Sequence, residues 1–178
     1  MRHLCCLALL CGAGLLATQA GLAQDKKDRV VVIDGLKAEY PADWVMEKPA
    51  NRLRFLQFRL PKADGDAVDA ELIVTKAIGG SPDANMKRWK EQFMPGEGKV
   101  TEMKMGKGKA WYLDVAGTYL FKAAPFDPNA KVEQRPNQRM LGVHYEGEDD
   151  PYHFKLVGPA KTVEKYKKGF DDWIKALK

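Results

Sequence analysis

The sequence predicts an α+β fold, an antiparallel β-sheet with amphipathic helices packed on it. Three observations carry this. Short strand-like runs come in pairs around tight glycine turns, two stretches repeat apolar residues at helical spacing, and one helical stretch falls between hairpins while the other closes the chain.

The first 23 residues stand apart. Met1-Arg2-His3 gives a short positive start, residues 4–16 are an apolar run, and Gly21 and Ala23 offer small residues for cleavage before Gln24. The expectation is a signal peptide over 1–23, one domain over 24–178, and a secreted or periplasmic protein after cleavage near Ala23. The apolar run is shorter than the roughly 20 residues a membrane-spanning helix needs. No transmembrane segment is therefore expected after processing. Cys5, Cys6 and Cys11 all lie in this leader, so a processed chain carries no thiol, and disulfides, thiolate metal sites and a cysteine nucleophile are not expected. Cleavage removes one basic residue, Arg2, and leaves 28 basic and 24 acidic residues. These charges are interleaved along the chain. No concentrated basic stripe or recognisable module points to nucleic acid.

The elements follow in order. Residues 30–33 are β-branched and close at Asp34-Gly35, a strand and turn, with a second extended piece to Tyr40 before Pro41-Ala42-Asp43-Trp44. Residues 52–60 and 70–76 form a hairpin around Asp64-Gly65-Asp66. The expected register sets Leu60, Phe58 and Leu56 opposite Ala70, Leu72 and Val74, all on one buried face. Gly79-Gly80-Ser81-Pro82 then announces a helix, with Ser81 as its cap, Pro82 in its first turn and Asp83 at the positive end of its dipole. Met86, Trp89 and Phe93 form its stripe, and the helix is expected to run to Phe93.

Residues 100–105 and 109–121 flank Gly106-Lys107-Gly108 as a second hairpin, with Trp111, Leu113, Val115 and Tyr119 on one face. Residues 123–138 read as a long polar connection bearing Pro125, Pro128 and Pro136. A third hairpin pairs residues 140–145 with 152–157, setting Tyr145 opposite Tyr152, Val143 opposite Phe154 and Leu141 opposite Leu156. Val163, Tyr166, Phe170, Trp173 and Leu177 then repeat at helical spacing in a terminal helix.

Tyr40-Pro41-x-x-Trp44, the helix between hairpins and the closing strand plus helix resemble the PsbP-like α/β/α sandwich. That architecture is shared by the photosystem II extrinsic PsbP proteins and the Mog-type Ran-binding proteins. Gly117-Thr118-Tyr119, Pro125-Phe126, Arg139-Met140-Leu141-Gly142 and residues 154–159 are similar to stretches in uncharacterised secreted bacterial proteins. The resemblance implies non-enzymatic adaptor or assembly work. It places no photosystem-binding or Ran-binding motif on particular residues.

Familiar nucleophilic hydrolysis needs Ser, Cys or Thr beside a positioned base. Ser81 is the one serine and is explained by capping, so an enzyme is not expected and no cofactor is implied. The acidic run Glu146, Glu148, Asp149 and Asp150 reads as a solvated turn. The same register that pairs Tyr145 with Tyr152 sets His144 opposite His153, and paired imidazoles on neighbouring strands suit Zn²⁺ or Cu²⁺. No third ligand is fixed in that register, and an incidental cross-strand polar pair is the ordinary explanation.

The leading expectation is a secreted, non-catalytic binding or assembly module with an envelope or extracellular protein partner. Phe126, Lys131 and Arg135 of the proline-bearing connection are its candidate contact residues. The alternatives are a periplasmic metal-binding protein using His144 and His153, and an enzyme with an unrecognised acid–base site.

Overall fold

A computed structural model describes residues 29–178 apart from 78, 125, 126, 128 and 149. The expected signal peptide, Phe126 and Asp149 thus lie outside the described residues. Among the described residues ten strands and two helices follow one another: β1 (Val30–Ile33), β2 (Leu36–Glu39), β3 (Val45–Glu47), β4 (Arg54–Leu60), β5 (Ala70–Lys76), α1 (Pro82–Lys90), β6 (Phe93–Met94), β7 (Gly98–Met105), β8 (Gly108–Lys122), β9 (Val132–Glu146), β10 (Pro151–Pro159) and α2 (Ala160–Ala176). β1 and β2 form a small hairpin of their own. The other strands make one antiparallel sheet ordered β3-β4-β5-β10-β9-β8-β6, with β7 also on β8.

The hairpin registers are those the sequence expects. Phe58 faces Leu72, Leu60 faces Ala70, and Tyr145 faces Tyr152. The alternation of side chains along each strand then divides the core into two layers. One layer joins Phe58, Leu72, Val143, Phe154 and Leu156 to Val163, Phe170, Trp173 and Ile174 of α2, with Ile33 and Tyr40 from the β1–β2 side. The other joins Leu113, Val115 and Met140 to Met86 and Trp89 of α1 and to Phe93. The two helices therefore lie on opposite faces of the sheet.

Each helix is fixed by particular contacts. Ser81 Oγ accepts the Ala84 N–H at 3.3 Å, the expected N-cap. Buried Asn85 donates to the carbonyls of Gly79, Gly80 and Ser81, tying the turn to the helix it opens. Pro159 supplies no side-chain cap for α2. Asp66, from the β4–β5 turn, takes over that role by accepting from Thr162 N at 2.9 Å and Thr162 Oγ1 at 2.6 Å. Trp89 lies so close over Gly142 that a Cβ there would sit 2.8 Å from its ring.

Two expectations are corrected. The first helix ends at Lys90, and Phe93 belongs to a strand paired with β8. Phe93 still joins Met86 and Trp89, because the short turn folds it back onto the same cluster. The connection expected over 123–138 is strand from Val132 onward. β8 runs to Lys122 and β9 begins at Val132, with Phe121 opposite Glu133 and Tyr119 opposite Arg135. Its polar side chains hid the pairing, because an arm with two wet faces lacks the apolar alternation that marks a half-buried strand.

Candidate functional site

The outer half of the β8–β9 hairpin and the buried histidine pair are the two places where the expected site residues fall. Between Val115 and Met140 no described residue is buried, so this part of the hairpin is an arm that meets the core at its base, where Tyr119 packs against the α1 cluster. Gly117 at φ 149° and Asn137 at φ 55° mark the bulge at its base, where the register shifts between Gly117 and Tyr119. A side chain on Gly117 would collide with the Met94 carbonyl, so the chain passes β6 in direct backbone contact.

On one face of the arm, Phe93 stacks on Tyr119 at 5.0 Å and Tyr119 approaches Phe121 at 6.2 Å. The Arg135 guanidinium sits 3.7 Å over the Phe121 ring, and its Nε donates to Glu133 at 2.9 Å. Burial raises the Tyr119 phenol above its ordinary range, and Arg135 opposes that shift. Arg135 also holds the Glu133 carboxyl below its usual value. The structure thus brings Arg135 into the aromatic row and leaves Lys131 exposed beyond it. Arg135 is already balanced by Glu133, so the positive charge expected to steer a partner is largely local. β10 pairs with β9 only as far as Gln138, leaving the backbone edge of residues 132–137 open to one side. Tyr119 and Phe121, which carry the arm's apolar surface, were not among the expected contact residues. Their alternation on residues 119–121 was the available signal.

His144 and His153 face each other as expected, with Nδ1 of one 2.9 Å from Nε2 of the other. They are 1% and 6% exposed, which places the pair inside the α1 layer and not on a solvated face. Trp89 meets His153 edge-on at 4.8 Å, and Trp111 lies 5.9 Å from His144. One ring donates and the other accepts, which requires the accepting imidazole to be neutral. Burial supplies that condition. It lowers the pKa of His144 and pushes His153 down to about 3, with nearby positive charge adding to the effect on His153. Lys155, one position further along the same face, donates to Gln92 Oε1 at 3.1 Å, and burial lowers its pKa to about 8. Arg88 of α1 adds its charge to all three, and Glu146 alone acts in the opposite sense on His144.

His144 and His153 are the residues that could hold a metal ion. Among the described residues, no group of three or more His, Cys, Asp or Glu side chains comes together. Ser81 remains at its helix cap, and the His pair lies on the sheet beneath α1. No helix among the described residues is long and apolar enough to cross a membrane.

The fold and these surfaces define an α+β protein with a helix on each face of an antiparallel sheet. No family model matches the chain, and no curated protein matches it. It is similar to a Pseudomonas aeruginosa protein of unknown function described as a putative regulator, at 12% identity, covering 84% of this chain and 94% of that one, with a TM-score of 0.47. It is also similar to the solution structure of cyanobacterial PsbP (CyanoP) from Synechocystis sp. PCC 6803, at 15% identity, covering 95% and 98%, with a TM-score of 0.48.

Proposed function

We propose that this chain is an exported, non-catalytic binding or assembly module that contacts a protein partner through the β8–β9 arm. The observation that carries the reading is the arm itself. It is a long paired ribbon with no buried residue among those described, anchored to the α1 cluster by Tyr119, with Tyr119, Phe121 and Arg135 in a row and an open strand edge beside them. A two-stranded ribbon gains little stability alone. Keeping half-exposed aromatic side chains on one is the composition that protein interfaces favour. Exposed Lys131 and the open edge of residues 132–137 supply polar and backbone contacts at its rim. Phe126, which falls between β8 and β9 in the sequence, is included in the same proposed surface. The export reading rests on the leader sequence over 1–23.

The test replaces residues 120–134 with Asn-Gly, a turn suited to a two-residue hairpin that keeps Tyr119 against Phe93. The shortened protein unfolds in one cooperative urea transition like the intact protein and loses capture of the partners that the intact protein retains from its native envelope. Capture of the same partners at full strength would reduce the arm to a connector.

A second reading, metal binding by His144 and His153, is supported by their facing nitrogens. Calorimetry with Zn²⁺ and with Cu²⁺ should then show weak binding near neutral pH that a His144→Ala/His153→Ala variant lacks. Identical traces for the two proteins would leave the pair as a hydrogen bond only.

A further inference from the structure

β8 pairs along one edge of β9 down to Val132, whereas β10 leaves the other edge at Pro159, opposite Gln138, where the chain turns into α2. Residues 132–137 therefore present a strand edge without a neighbour, and Pro136 is tolerated among them because an edge strand can lack a ladder donor. Such an edge is a template for another strand. Its side chains divide between two faces. Glu133 and Arg135 lie opposite Phe121 and Tyr119 on one, and Val132 and Gln134 lie opposite Lys122 and Leu120 on the other. Val132 is 43% exposed, an apolar side chain on a ribbon that has no core to bury it.

Two copies joined edge to edge with antiparallel strands are related by a two-fold axis normal to the ribbon. That axis keeps each side chain on its own face, so facing residues lie an even number of positions apart in sequence. An axis through Glu133 or Arg135 sets like charges against each other, which is destabilising. One through Val132 runs half of the pairing off the start of β9, and one through Pro136 runs it into Gln138, which β10 already holds. An axis through Gln134 sets Glu133 of each copy opposite Arg135 of the other, and Val132 opposite Pro136. Within one copy Arg135 Nε donates to Glu133 at 2.9 Å. Across the axis four charges then alternate in sign, and the exposed Val132 side chains gain an apolar neighbour.

We propose that the open edge of β9 binds the same edge of a second copy of this chain, antiparallel about an axis at Gln134, to form a four-stranded ribbon β8-β9-β9-β8. The inference rests on the reading of the arm as a contact surface and names an occupant for its edge. Both faces carrying Tyr119 and Phe121 then point the same way and stay open to a different partner. Strand addition draws affinity from main-chain hydrogen bonds and register from side chains. Pro136 has no N–H, and its carbonyl accepts from Gln138 Nε2 at 3.2 Å, so the shared ladder is short and the dimer is weak and concentration-dependent.

Analytical ultracentrifugation of the purified protein reads the dimer, and two charge reversals test its register. Glu133→Arg sets two guanidinium groups against each other across the axis, and Arg135→Glu sets two carboxylates against each other. Each variant keeps one cooperative urea transition and weakens self-association by about tenfold or more. Mixed in equal amounts, the two variants associate again, because every guanidinium then faces a carboxylate of the other chain. The pair within each chain stays broken in that mixture, so the recovery reads the contact between copies alone. A protein monomeric at millimolar concentration, a dimer that both reversals leave unchanged, or a mixture no stronger than its components would overturn the proposal. A monomer that captures its envelope partners overturns the dimer and leaves the proposed function standing, whereas a dimer with this charge pattern that captures none does the reverse.

Discussion

Against α2 the sheet sets a continuous aromatic and aliphatic layer, in which Phe58, Phe154, Phe170 and Trp173 are all essentially inaccessible to water. Against α1 it sets a much smaller apolar cluster, and next to that cluster stand His144, His153 and Lys155. The lengths of the helices match this division. α2 has 17 residues and a long apolar stripe, whereas α1 has 9 and holds the sheet mainly through Met86 and Trp89. Burial of apolar area is the dominant favourable term in folding. The α2 layer should therefore set the stability of the protein, and the α1 layer should set how that stability responds to pH.

The largest effect expected from this difference is at Phe170. Phe170→Ala removes a fully buried ring from the centre of the α2 layer and should cost about 3–5 kcal/mol in urea denaturation. Phe93→Ala, at the edge of the α1 cluster beside half-exposed Tyr119, should cost less because the site can collapse. Equal losses would break the comparison. Gly142→Ala comes next. Its methyl group would press on Trp89 and displace α1, at about 1–3 kcal/mol, read from the same denaturation and from the Trp89 indole signal.

The pH response sharpens the same contrast. His144 and His153 have pKa values in the folded protein below the ordinary 6.5. The unfolded chain therefore binds protons that the folded one refuses, and stability falls as pH drops below about 6.5, through the range toward about 3 set by His153. The slope is about 1.4 kcal/mol per pH unit for each proton taken up only on unfolding. His144→Gln/His153→Gln should flatten the urea midpoint between pH 6.5 and 5, above the range where carboxylates contribute. Lys155 works at the other end. Its pKa lowered to about 8 means that stability rises as pH climbs from about 8 toward 10.5, and Lys155→Met should abolish that rise. The smallest effect is at Asp66. Asp66→Ala removes the acceptor at the start of α2 and should cost about 1 kcal/mol with no change in pH slope near neutrality.

The hairpin registers were legible because strand pairing across a short turn is a local matter. Once Gly106-Lys107-Gly108 or the acidic turn before Tyr152 is recognised, alternation assigns every facing pair, including His144 with His153. The terminal helix was legible for the same reason, since Val163, Tyr166, Phe170, Trp173 and Leu177 repeat within one continuous segment. The end of α1 was misplaced by three residues because Phe93 continues the helical spacing while belonging to the next strand. The arm was missed over residues 132–138 because neither of its faces is buried, so no periodic signal was present to read.

Sequence by itself therefore determined the class of fold, the hairpins and the facing of the two histidines. Each of these follows from side-chain period and turn chemistry over a few residues. Tertiary structure alone decided that β10 enters between β5 and β9, so that strands far apart in the chain became neighbours. It also decided that α1 closes over His144, His153 and Lys155, which turns a cross-strand pair that could have been solvated into neutral, buried groups. Burial depends on which surfaces meet after the chain has folded, and short-range pattern carries no record of that.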